Sequence, residues 1–177
     1  MKNAFLLILF FLAVISASAQ DAQYPVIKGY GGIYDITNAD VRPDPNLQYK
    51  IAIDLYNSPT SREDVNYYLE RVARLINLHV IGGVPRENLQ IAVVAHGGAT
   101  YSMLGNEAHD TRFGNENPNS ELINALHEAG VEFMVCGQSI LGRNIDKSQL
   151  HPHVQVATSM LTAFTTLQLN GYAILQF

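Results

Sequence analysis

The pattern of this 177-residue chain predicts an α/β layered domain built on a mainly parallel five-stranded sheet, with helices on both faces. Two observations carry that prediction. Short apolar runs rich in β-branched residues alternate with stretches whose apolar residues recur at helical spacing. The second run, Leu89 to Ala95, is apolar almost throughout, as expected of a strand covered on both faces. Right-handed crossovers between parallel strands then distribute the helices over both faces.

The first 19 residues stand apart. Lys2 precedes an unbroken apolar run from Ala4 to Ile15, and Ser16, Ala17, Ser18 and Ala19 supply small residues before Gln20. This is the pattern of a cleaved secretory signal peptide, and the run falls short of the roughly 20 apolar residues a membrane span needs. The mature protein is therefore expected to be periplasmic or secreted, with no membrane attachment after cleavage. Residues 20–48 read as an N-terminal arm whose glycines and prolines argue against a long regular element. A surface lead-in is the expected form, with a cover over a site or a neighbouring subunit as the alternative. Residues 49–177 form the domain proper, and the mature length of about 160 residues suits one domain with one sizeable core.

Within that domain the elements follow in order. Tyr49 to Tyr56 is the first strand, and Ser61 with Asp64 reads as a capping box for a helix carrying Val65, Tyr68, Leu69, Val72, Leu75 and Ile76 inward. Gly82 and Gly83 stop it, and Pro85 blocks its resumption. Leu89 to Ala95 is the second strand. Ala99 to Pro118 is looser, with room for a broken helix. Asn119 or Ser120 caps the next helix, with Leu122, Ile123, Leu126 and Ala129 on one face and Gly130 at its end. Val131 to Cys136 is the third strand. Ser139 to Leu150 holds one or two helical turns, and Val154 to Val156 is a brief fourth strand. Thr158 or Ser159 caps a helix with Met160, Leu161, Phe164 and Leu167 inward; Gly171 ends it, and Tyr172 to Phe177 closes the sheet.

Composition excludes some partners. The net charge of -5 comes with no basic run, so a nucleic-acid surface is not expected. The single cysteine cannot form an internal disulfide, which leaves a buried filler, a partner-linked thiol or a reactive one. No Gly-x-Gly-x-x-Gly or Walker sequence occurs, so no cofactor is expected. Gly137-Gln138-Ser139 continues without the second glycine of a serine-hydrolase elbow. Six histidines include His109 beside Asp110 and His151 near His153, but none has the helical spacing of a metal site, and no metal is expected. His79 and His127 fall late in helices, where they complement the dipole.

Reactive groups in parallel sheets gather beyond the carboxyl ends of the strands. That rule selects Asn57 and Ser58 after the first strand, His96 and Gly97 after the second, and Cys136, Gln138 and Ser139 after the third. Cys136 precedes a glycine turn and a helix start, with Arg143 within reach of the same loop. Backbone N–H groups and a guanidinium both favour the thiolate, the nucleophilic form of cysteine. The competing account makes Cys136 a small apolar filler, since free cysteine is among the most buried residue types.

Four segments taken together carry a resemblance. They are Val93-Val94-Ala95-His96-Gly97; Leu122 to Leu126 with Ala129-Gly130-Val131; Val135-Cys136-Gly137-Gln138-Ser139; and Leu167-Gln168 with Asn170-Gly171-Tyr172-Ala173. In order and spacing they resemble the DsrE/DsrF-like family, also called YchN-like. The resemblance implies a three-layer α/β sandwich that assembles as trimers or hexamers. It also implies sulfur relay, in which a cysteine in a loop like that of Cys136 carries a persulfide and exchanges sulfur with a donor or acceptor protein. Only Cys136 inherits a catalytic role; His96, Gly97, Gln138, Ser139, Arg143 and Asn57 are supporting or ligand-binding candidates. The leading expectation is an exported, sulfurtransferase-like protein whose Cys136 thiolate accepts or transfers sulfane sulfur. The alternative is a non-catalytic oligomeric domain for small-ligand binding or assembly, with Cys136 structural.

Overall fold

The computed structural model describes residues 21–177, so the signal peptide read over residues 1–19 lies outside the described residues. In chain order the domain runs β1 (Tyr49–Leu55), α1 (Tyr67–Ile81), β2 (Leu89–Ala95), a 3-10 segment (Gly97–Met103), α2 (Asn106–Phe113), α3 (Ser120–Glu128), β3 (Val131–Cys136), α4 (Gly137–Leu141), β4 (Val154–Ala157), α5 (Met160–Leu169) and β5 (Ala173–Gln176). The five strands form one sheet in the order β4-β3-β2-β1-β5, and every neighbouring pair is parallel.

That order decides which face each helix takes. From β1 to β4 the chain steps across the sheet in one direction, so right-handed crossovers put α1 and α3 on the same face. There Ile53, Val93, Phe133 and Val135 pack with Leu69, Val72 and Ile76 of α1 and with Leu122, Ile123 and Leu126 of α3. The return from β4 to β5 runs the other way and carries α5 to the opposite face. Its Ala163, Phe164 and Leu167 rest on Ala52, Ala92 and Val94, small sheet residues that let one helix lie close. The result is the expected α/β sandwich with helices on both faces.

Three local expectations differ from the structure. Ser61 does not open α1: its hydroxyl accepts from the Glu63 N–H in a turn, and the helix begins after Asn66, whose side chain accepts from the Tyr68 N–H at 3.0 Å. Val65 therefore precedes the helix. Asn66 is fixed there by distant partners, donating through its N–H to Asn119 Oδ1 and through Nδ2 to the Asn57 carbonyl and Ser102 Oγ. Leu161 points outward at 68% exposure, and Ala163 takes the inward position instead.

The arm, read as a surface lead-in whose Val26-Ile27 and Ile33-Tyr34 pairs could dock on the domain, is docked through Ile27 and Ile33. Asn77, fully buried on α1, accepts from the Val26 and Ile27 N–H groups and donates to the carbonyls of Tyr30 and Gly31, at 3.0–3.1 Å. Ile27 and Ile33 are buried beside it, and Gln23 pairs with Ile33 in an antiparallel bridge. Gly31 has φ +62, and a Cβ there would collide with the α1 backbone at Arg74. Close approach of arm to helix thus requires glycine.

Candidate functional site

β3 passes directly into α4, with Cys136 as the last strand residue and Gly137 as the first helical one. A side chain at position 137 would meet the Ala157 carbonyl oxygen at 2.8 Å, so glycine lets the start of α4 sit against the end of β4. The Gln138 amide reinforces this contact by donating to the Thr158 carbonyl at 3.4 Å. Ser159 then caps α5 by accepting from the Leu161 N–H.

The Cys136 sulfur lies where these elements meet, and the residue is only 3% exposed. Burial pushes the thiol toward higher pKa. The Met160 N–H at the start of α5, the Ser139 hydroxyl and the N–H groups of Ser139 and Gln138 outweigh it, and the net shift is downward. Each of these donors favours a charged sulfur.

β2 and β3 are neighbours, and His96 and Cys136 stand one step beyond the last paired residues, Ala95 and Val135. These two chain positions are therefore adjacent in the fold. The imidazole reaches the other way, however: Nε2 lies 2.6 Å from Asp54 Oδ1 on β1, and the ring is 5.1 Å from that of Tyr56. Gly97, at φ +54, donates its N–H to Ser139 Oγ at 3.4 Å. Ser139 thus links the end of β2 to the sulfur.

Arg143 does not stand at the thiol. Its guanidinium donates to the Ser139 carbonyl at 3.1 Å and lies over the Tyr101 ring. Asn57 enters through its main-chain carbonyl, which Asn66 holds. His109 is buried against the Asn115 carbonyl, and His79 bonds the Leu75 carbonyl of its own helix. The His127 ring stacks on His153 at 3.8 Å, and His151 Nδ1 accepts from the His153 N–H. Burial, then the charges of His153 and His127, lower the His151 pKa. Among the described residues, no group of three or more His, Cys, Asp or Glu side chains is arranged to hold a metal ion.

Sequence reasoning missed two contributors to the site. Asp54 was detectable as the one acidic residue in an otherwise apolar strand end. The Met160 N–H carried no local signal, since only the β3–β4 pairing brings it to the sulfur.

A model of the DsrE/DsrF-like family matches residues 50–177. The chain belongs to that family. The DsrE/DsrF-like domain shares its fold with a protein of unknown function from Methanobacterium thermoautotrophicum, MTH1491, at a TM-score of 0.57 and 19% identity over 73% of this chain and 99% of the other. It is likewise similar to the YchN protein of E. coli, at a TM-score of 0.53 and 22% identity, again over 73% of this chain and 99% of that one. No curated protein matches the chain. In this DsrE/DsrF-like domain, the strand-end geometry presents one nucleophile-capable side chain in a ring of hydrogen-bond donors.

Proposed function

We propose that this protein is exported and handles sulfane sulfur through the Cys136 thiolate, accepting it from a donor and passing it to an acceptor protein. One observation carries the reading: the first N–H of α5 and the groups of Ser139 and Gln138 converge on a nearly buried thiol and lower its pKa. A cysteine used only for packing has no need of such donors. With thiosulfate as donor, the Cys136 thiolate attacks the outer sulfur, a new S–S bond forms, and the original S–S bond breaks with its electron pair leaving on sulfite. The product is the Cys136 persulfide anion, held by the same N–H donors. Export is supported by the apolar run from Ala4 to Ile15 followed by small residues.

Mass spectrometry of the folded protein after thiosulfate or polysulfide treatment tests this. The expected result is a single sulfur adduct on Cys136, removed by reductant and absent in Cys136→Ser. A wild-type protein that gains no adduct and whose folded thiol resists alkylation would overturn it. The second reading, a binding or assembly domain with a structural cysteine, is favoured by the 3% exposure of Cys136. Under that reading Cys136→Ala lowers the melting temperature while the wild-type thiol stays inert.

A further inference from the structure

Tyr101, on the 3-10 segment after β2, gathers three guanidinium groups. Arg62 lies 4.7 Å from the ring centre, Arg143 5.6 Å and Arg112 5.7 Å. They come from three separate places: the loop after β1, the turn that follows α4 and the last turn of α2. Aromatic faces attract cations, but three on one ring also repel one another.

None of the three has a carboxylate partner within ion-pair distance among the described residues, although acidic side chains outnumber lysine and arginine 16 to 11 in the whole chain. Neutral groups hold them instead. Arg112 donates to the carbonyls of Arg143 and Asn144 at 3.3 and 3.4 Å, Arg143 donates to Ser139, and Arg62 also lies over Phe113 at 5.1 Å. Each guanidinium carries five N–H donors, so most remain free. Clustered positive charge without a counter-charge is the arrangement that recognises a multiply charged anion through planar, bidentate donors.

We infer that Arg62, Arg112 and Arg143, mounted on Tyr101, bind a small tetrahedral oxyanion of charge -2, the class that includes sulfate, thiosulfate and phosphate. The site shares Ser139 with the thiol: the carbonyl accepts from Arg143 while the hydroxyl and N–H face the Cys136 sulfur. The inference concerns binding alone and stands independently of sulfur transfer at Cys136.

Calorimetric titration of the purified protein with sodium sulfate, thiosulfate and phosphate, at low ionic strength held constant with chloride, tests it. Saturable binding near one anion per chain is expected. Arg112→Gln and Arg143→Gln should each weaken it about tenfold, the scale of one lost charge-assisted hydrogen bond. Arg71→Gln, which removes a guanidinium lying over Tyr67 and Phe177, should leave it unchanged. Arg112 is exposed, so its substitution spares the core even if Arg143→Gln destabilises the fold. Cys136→Ser, which cannot react with thiosulfate, should bind sulfate and phosphate as wild type does, and thiosulfate is compared with them in that variant, which separates binding from thiol chemistry. Preference for thiosulfate over phosphate would identify a sulfur oxyanion, and equal binding any tetrahedral dianion. No saturable heat with any of the three anions, or binding unaltered in both Arg112→Gln and Arg143→Gln, would overturn the inference.

Discussion

At Cys136, burial and hydrogen bonding pull the thiol in opposite directions, and the donors prevail. That outcome has a consequence for stability. The folded thiol is more acidic than the unfolded one, whose pKa is about 8.5. Between the two values the unfolded chain binds the extra proton, so stability rises with pH across that window. The contribution is fully present above about pH 8.5 and is lost as pH falls through the folded value. Urea unfolding of wild type and Cys136→Ala at a series of pH values checks this: the gap between them should widen toward alkaline pH. A gap independent of pH would mean that the donors do not act on the sulfur. The cysteine itself was legible in the sequence because a glycine-bounded apolar run delivered it to a strand end. The Asp54–His96 pair was not, because its 2.6 Å contact joins two strands 42 positions apart in the chain. Which strands are neighbours is not written in either segment.

Among the elements, α1 joins the arm to the sheet through Asn77. A polar residue on the buried face of a helix is costly unless every hydrogen-bonding group is satisfied, and Asn77 makes four bonds to the arm backbone. Asn77→Ala would strand those backbone groups and should cost about 2–4 kcal/mol. Denaturant melts would register the loss, and hydrogen exchange should quicken at Val26 and Ile27. Unchanged protection there would show that Ile27 and Ile33 alone hold the arm. Helical periodicity identified α1 and most of its buried face but overlooked Asn77, since the sequence alone pairs buried faces with apolar residues. The start of α1 was misplaced for a related reason. Ser61 has the better local capping signal, whereas Asn66 is selected by contacts with Asn119 and Ser102, both distant in sequence. β2 posed no such difficulty, as its near-continuous apolar run declares a strand buried on both faces.

For the molecule as a whole, the strand order leaves the two faces unequally covered. α1 and α3 pack on one, α5 on the other, and β5 is an edge strand whose four residues are all exposed. Ile174 and Leu175 give that edge an apolar margin of the kind that copies of a chain bury against one another. We expect a homo-oligomer, with trimers or hexamers implied by the family resemblance. Sedimentation of wild type should give a multiple of the monomer mass, and the double substitution Ile174→Lys with Leu175→Lys should reduce it. A wild-type monomer at all concentrations would exclude assembly through this margin.

The pairing of β3 with β4 gives the thiol a dependence on distant chain. Ser139 and Gln138 donate from the helix that directly follows the cysteine, but the Met160 N–H is brought to the sulfur only by the partner strand. A cysteine loop cut from this sheet would keep its near donors and lose the one from α5. The chemical character of Cys136 therefore belongs to the assembled sheet and not to its loop alone.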